Sequence, residues 1–196
     1  MQRALFLDRD GVVNHLILYK DGWDSPQKPG DVKLIYGIEK IISRANQNNI
    51  LVIEISNQPG VAKGKMDQKT SDEIERRVHQ LLKQKGAVIN KIYICPHHPK
   101  SLISKLSINC DCRKPKPGLI LNASKELDIN LNKSISLGDK ASDVEAAKNA
   151  GVKSIIYLHN EDESRKNKGA RSAKADFKVS SIEEILKILR DFFKLK

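Results

Sequence analysis

The chain has 196 residues, a net charge of +11, 39% hydrophobic residues and 30% charged ones. That length suits one domain, residues 1–196, with a sizeable core, and the balance suits a soluble globular protein. No apolar run reaches the roughly eighteen residues of a bilayer-crossing helix, and the N-terminus enters a strand with no secretory leader, so the expected location is the cytoplasm. The positive charge suits either nucleic acid or a phosphorylated substrate. Because the lysines are scattered and form no long basic block, a solvated lysine-rich surface is expected for most of them.

In chain order, Ala4–Leu7 is a short unbroken apolar run. It fits a strand buried on both faces of a parallel sheet. It stops at Asp8 and Asp10, with Gly11 straight after. In open α/β sheets, ligands bind where strands reach their carboxyl edge. Two carboxylates there repel each other unless a hard cation such as Mg²⁺ neutralises them. Asp8 could then attack phosphorus and Asp10 could move protons; a solvated Asp/Gly turn is the alternative.

The polar stretch from His15 to Asp31 is too long for a plain turn. Its Tyr19 and Trp23 either line a substrate mouth or pin the loop. Helical spacing marks 38–45, through Ile38, Ile41 and Ile42, and the β-branched run at 50–56 reads as a second strand. Glu54 inside that strand is expected near a sheet edge or beside a basic partner, since an unpaired charge in a central strand is costly. Ser56, Asn57, Gln58, Pro59 and Gly60 follow as a turn. An amphipathic helix is predicted over 70–85, with Ile74, Val78, Leu81 and Leu82 as its buried stripe and Gly86 as its end. Further strands are predicted at 89–95, 134–137 and 154–158, and helices from Pro117–Gly118 and over 141–150. Residues 161–174 read as a flexible surface loop, 177–179 as an edge strand, and 181–193 as a closing helix in which Ser181 and Glu184 match a capping box. The alternation predicts an α/β fold, one doubly wound domain with a mainly parallel sheet.

Four chemical features lie at predicted strand ends or in nearby loops. Asp8 and Asp10 are the first. Ser56 is the second, a hydroxyl that with following N–H groups can hold phosphate oxygens. In the third, Arg113–Gly118, two prolines stiffen a turn in which Lys114 can offset charge on a reacting phosphoryl group while Arg113 grips a second anion. The fourth is Gly138-Asp139-Lys140, with Asp143 as a cap or supporting carboxylate. Separately, Cys95-Pro96-His97 and Cys110-Asp111-Cys112 are twelve residues apart and use all three cysteines. Three thiolates and an imidazole make a closed tetrahedral Zn²⁺ shell, expected to be structural.

Nucleophile and acid, hydroxyl, lysine, then metal acids is an order that resembles the haloacid dehalogenase superfamily, over nearly the whole chain. DRDGVVN, SNQPGVAKG, CRKPKPG and GDKASDVEAA are similar to its subfamily IIIA heptose 1,7-bisphosphate phosphatases, near relatives of the histidinol-phosphate phosphatases. The resemblance implies a compact fold without a large cap, Asp8 as nucleophile and Asp10 as acid and base. It implies Mg²⁺ on Asp8, Asp139 and the main chain of Asp10, a phosphoryl-stabilising pair in Ser56 and Lys114, and substrate contacts from Arg113 and Lys140. Asn57, Gln58 and Tyr19 are further candidate substrate contacts. Ser56 stands where many relatives have threonine, Pro59 removes a possible backbone donor, and Lys63 stands where an arginine is common. The implied activity is release of the C7 phosphate of a heptose bisphosphate, with a small phosphorylated sugar as partner, no nucleic acid or membrane, and a monomeric state. The rivals are a histidinol-phosphate phosphatase, a polynucleotide phosphatase, and a non-enzymatic zinc module that binds nucleic acid.

Overall fold

The computed structural model describes residues 1–158 and 169–195. Its centre is β1 (Ala4–Leu7), every residue of which is fully buried. On one side β1 pairs in parallel with β4 (Leu51–Asn57), and on the other with β6 (Ile135–Gly138). The strands β5 (Lys91–Cys95), β7 (Lys153–Tyr157) and β8 (Phe177–Val179) extend these pairs, giving a six-stranded parallel sheet in the order β5-β4-β1-β6-β7-β8.

Alternation along β1 divides the core. Leu5 and Leu7 face a layer built from α1 (Ile38–Gln47), α2 (Gln68–Gln84) and α5 (Ile182–Phe193). Ala4 and Phe6 face α3 (Gly118–Leu127) and α4 (Ala141–Asn149). Both faces being covered explains the unbroken apolar sequence of β1. The helices begin where side chains satisfy their free N–H groups. Asp67 Oδ1 accepts from Thr70 N at 2.7 Å before α2, and the capping box expected at Ser181 and Glu184 is formed before α5. The doubly wound parallel sheet is as expected, with boundaries displaced by one or two residues.

Two expectations need correction, and a third is met in one of its two alternatives. Residues 15–31 are not an unstructured loop: they hold a hairpin of β2 (Ile17–Tyr19) and β3 (Gly22–Asp24), followed by a helical turn at Pro29–Asp31. The alternating pattern there is too short to show as periodicity. Of the two surroundings expected for Glu54 the sheet edge is not found, since it is fully buried on β4 next to the central strand, and the basic partner is, since the Arg9 guanidinium acts on it. The loop expected at 161–174 falls outside the described residues over 161–168, and in the described part Ala170 is buried against Val144 and Ile156, so that end is packed.

Candidate active site

Since β4, β1 and β6 are parallel neighbours, their carboxyl ends open at one place. Asp8 follows β1, and its N–H donates to Leu137 O at 3.0 Å. Ser56 and Asn57 close β4, and Asp139 follows β6. Gly11 turns the chain with φ of +94°, and any side chain there would collide with the Asp139 carboxylate. Gly138 is constrained in the same way by the Asp143 side chain.

Lys114 enters from the loop before α3, buried, with a cis peptide bond to Pro115. Its ammonium lies 2.9 Å from Asp8 Oδ1, 2.7 Å from Asp143 Oδ1 and 2.8 Å from Ile55 O. Asn57 fixes the lysine's backbone, donating to Lys114 O at 3.1 Å and accepting from Lys114 N at 3.0 Å. Ser56 Oγ lies 3.4 Å from Asp8 Oδ1. Burial raises the Asp8 pKa, but the ammoniums of Lys114 and Lys140 more than reverse this and hold the carboxyl well below its usual range. Asp8 is thus an ionised carboxylate held in place by two ammoniums.

Asp10 is set by different partners. Arg9, buried, brings its guanidinium 3.2 Å from Asp10 Oδ2. Asn14 Nδ2 donates to Asp10 Oδ1 at 2.9 Å, Ser25 Oγ to Oδ2 at 2.8 Å and Gln58 Nε2 to Oδ2 at 2.5 Å. Burial again opposes ionisation, and Arg9, Gln58 and Asn14 outweigh it, so Asp10 is a carboxylate in the ligand-free chain.

Lys140 gathers three oxygens around its ammonium. Its Nζ lies 3.0 Å from Asp8 Oδ2, 2.9 Å from the main-chain oxygen of Asp10 and 2.7 Å from Asp139 Oδ1. Three hard oxygens converge on one positive charge, and the ammonium stands in for a cation there. These are the donors that Mg²⁺ prefers. Asp139 is pushed up to about 7 by burial, and by Asp8 and Asp143 against the pull of Lys140.

In front lies a cavity of about 380 Å³. Asp8, Asp10 and Lys114 line it, with Arg113, Lys63, Lys140, Asp24 and Asp143. Arg113 is tied back to the next loop by donating from Nη1 to His97 O at 3.0 Å. In that loop the sulfurs of Cys95 and Cys110 are 3.5 Å apart, those of Cys110 and Cys112 3.2 Å, and His97 Nδ1 is 3.3 Å from Cys112 Sγ. All three cysteines are free. Sulfurs around a tetrahedral ion at roughly 2.3 Å would be separated by about 3.7 Å, so the four side chains form a cluster that can hold one metal ion.

The sequence-predicted residues Asp8, Asp10, Ser56, Lys114, Arg113, Lys140 and Asp139 therefore converge. Tyr19 does not join them as a substrate contact. Its hydroxyl donates to Asp31 at 2.6 Å and accepts from Gln27 N at 2.9 Å, so it pins its own loop. Gln58 is turned inward onto Asp10, Ser56 and Arg9, where it orients groups. Sequence reasoning missed Arg9, Asn14 and Ser25 around Asp10. The charge of Arg9 between two acids was the one available signal.

These features define a phosphotransfer hydrolase of the haloacid dehalogenase type. The HAD-hydrolase-like family model matches residues 111–185. A D-glycero-alpha-D-manno-heptose-1,7-bisphosphate 7-phosphatase from Photorhabdus laumondii is 37% identical over 76% of this chain and 79% of its own length. A D-glycero-beta-D-manno-heptose-1,7-bisphosphate 7-phosphatase from Vibrio cholerae is 35% identical over 79% of this chain and 80% of its own. The crystal structure of the D,D-heptose 1,7-bisphosphate phosphatase from B. bronchiseptica, complexed with magnesium and phosphate, superposes with a TM-score of 0.77 at 26% identity, covering 97% of this chain and 99% of that one. The chain belongs to the D-glycero-D-manno-heptose-1,7-bisphosphate 7-phosphatase family of HAD-like hydrolases.

Proposed function

We propose that this chain is a Mg²⁺-dependent phosphatase that removes the C7 phosphate of heptose 1,7-bisphosphate, on the way to nucleotide-activated heptose for a surface polysaccharide. The reading takes it as a single phosphatase domain acting as a cytoplasmic monomer. The observation that carries it is the meeting of an ionised Asp8, a buried Lys114 and three oxygens gathered around the Lys140 ammonium beside a cavity.

Asp8 Oδ2, Asp139 Oδ1 and the main-chain oxygen of Asp10 would hold Mg²⁺, which when bound neutralises charge on the phosphoryl oxygens. Lys140, whose ammonium lies among those oxygens, is placed to meet the substrate's phosphate. Asp8 attacks phosphorus and forms an aspartyl phosphate as the sugar alkoxide departs. Lys114 and Ser56 stabilise the charge that develops. Asp10 must be protonated for the first step, although its partners keep it ionised in the free chain. The negative phosphoryl group arriving beside it raises its pKa. After giving that proton to the leaving alkoxide, Asp10 is again the carboxylate that activates water. Arg113 holds the distal phosphate of the bisphosphate. The Cys95, His97, Cys110 and Cys112 cluster binds structural Zn²⁺ and fixes the loop that carries Arg113 and Lys114.

The test is phosphate release from both anomers of heptose 1,7-bisphosphate, fructose 1,6-bisphosphate and histidinol phosphate, with and without Mg²⁺. Heptose bisphosphate should have the highest kcat/KM, and only with Mg²⁺. Preference for histidinol phosphate would overturn the substrate; release that ignores Mg²⁺ would overturn the chemistry.

A further inference from the structure

Glu54 has no part in this chemistry, yet it is fully buried in β4 and neither of its carboxylate oxygens meets a hydrogen-bond partner among the described residues. A buried polar group without a partner is rare and points to something that fills the gap, an ion or a water. Facing it, α2 presents Glu75 and His79, one helical turn apart. Arg9 Nη1 takes Glu75 Oε2 at 2.9 Å, which leaves Oε1 turned toward His79 Nε2 at 3.1 Å. One ligand-capable atom from each of Glu54, Glu75 and His79 lies within 4.8 Å of the other two. The Arg9 guanidinium is shared among Glu54, Glu75 and Asp10.

We propose that Glu54, Glu75 and His79 form an additional cation site that takes a divalent transition ion such as Zn²⁺ or Mn²⁺, apart from both the Asp8–Asp139 oxygens and the cysteine loop. An imidazole with two carboxylates suits such an ion better than Mg²⁺, which favours all-oxygen shells. The separation of Glu75 Oε1 and His79 Nε2 fits two ligands of one ion at about 2.0–2.2 Å. Glu54 supplies the third from the strand. The side chain of His79 is 31% exposed and that of Glu75 14%, giving the ion a route from solvent. An ion here clamps β4 to α2. Through Glu75 it also fixes Arg9, which reaches Asp10 and Gln58.

The experiment uses the full chain with zinc already at its cysteine cluster, in saturating Mg²⁺ to keep the oxygen site filled. Zn²⁺ alone is titrated in, with calorimetry and thermal melting as readouts, so nothing depends on the substrate reading. The wild type should take up one further zinc per chain, and its melting temperature should rise with free Zn²⁺. His79→Ala, at the surface, and Glu54→Gln, which keeps the shape, should each lose that ion and that rise while retaining the cysteine-bound zinc. No additional ion in the wild type, or its retention in either variant, overturns the proposal.

Discussion

Replacing Lys114 by methionine keeps the apolar stem and deletes the ammonium. In the structure that ammonium holds Asp8 at 2.9 Å and Asp143 at 2.7 Å, both side chains about 5% exposed or less. Without it, among the described residues, Asp143 Oδ1 loses its ion pair and Asp8 keeps the one to Lys140. Removing one partner of a buried ion pair costs about 3–5 kcal/mol. Saturating Mg²⁺ should recover the part that belongs to Asp8 and leave the part that belongs to Asp143. At the reacting centre, loss of one preorganised charge should lower kcat by about 10²–10³, with a smaller change in KM. Urea unfolding with and without Mg²⁺ gives the first quantity, and steady-state phosphate release gives the second. The double variant Lys114→Met/Asp143→Asn, which keeps an oxygen acceptor for the N–H of Lys140 at the start of α4, should recover most of the stability and none of the kcat. Stability within experimental error of wild type, or a fall in kcat of less than tenfold, would refute the argument that one ammonium serves both ends.

Arg113→Ala should raise KM for a bisphosphate by an amount equivalent to about 1.5–3 kcal/mol and barely change it for the matching monophosphate; equal changes on both would remove Arg113 from the distal phosphate. Cys110→Ser should lose the zinc held by its loop, seen by metal analysis, and should lower both melting temperature and activity. Burial and the neighbouring Glu75 raise the Glu54 pKa well above its ordinary 4.5, against the pull of Arg9. The folded chain therefore holds a proton that the unfolded chain has lost, and stability falls as pH rises above 4.5. Without added transition metal, Glu54→Gln should gain on wild type with increasing pH, at a limiting slope of about 1.36 kcal/mol per unit. A pH-independent difference in urea unfolding would contradict this. Ser181→Ala should cost about 1 kcal/mol by breaking the cap of α5, measured by the same unfolding.

The doubly wound sheet was legible because β1, β4 and β6 are buried on both faces and so are written as apolar runs. The site was legible because a parallel sheet sends its carboxyl ends to one place, and acids and a hydroxyl stand at such ends, with Lys114 in the stiff loop before α3. What the pattern could not carry was the direction of individual side chains. Tyr19 and Gln58 sit in or beside the right loops, and hydrogen bonds commit them to Asp31 and Asp10. The three-residue strands β2 and β3 are too short for periodicity to show. The ring of Arg9, Asn14 and Ser25 around Asp10 depends on tertiary folding of the 15–31 segment, which no local signal encodes. Glu54 was visible as an anomaly, and only the neighbouring helix shows what it faces.

The covalent role of Asp8 is tested most directly by quenching the protein in acid during turnover of heptose 1,7-bisphosphate with Mg²⁺ and mapping phosphorylated peptides by mass spectrometry. Wild type should carry a phosphoryl group on Asp8. Asp8→Asn should carry none, and its turnover should fall by several orders of magnitude. Near-normal turnover in Asp8→Asn, or a phosphoryl group on another residue, would contradict the account.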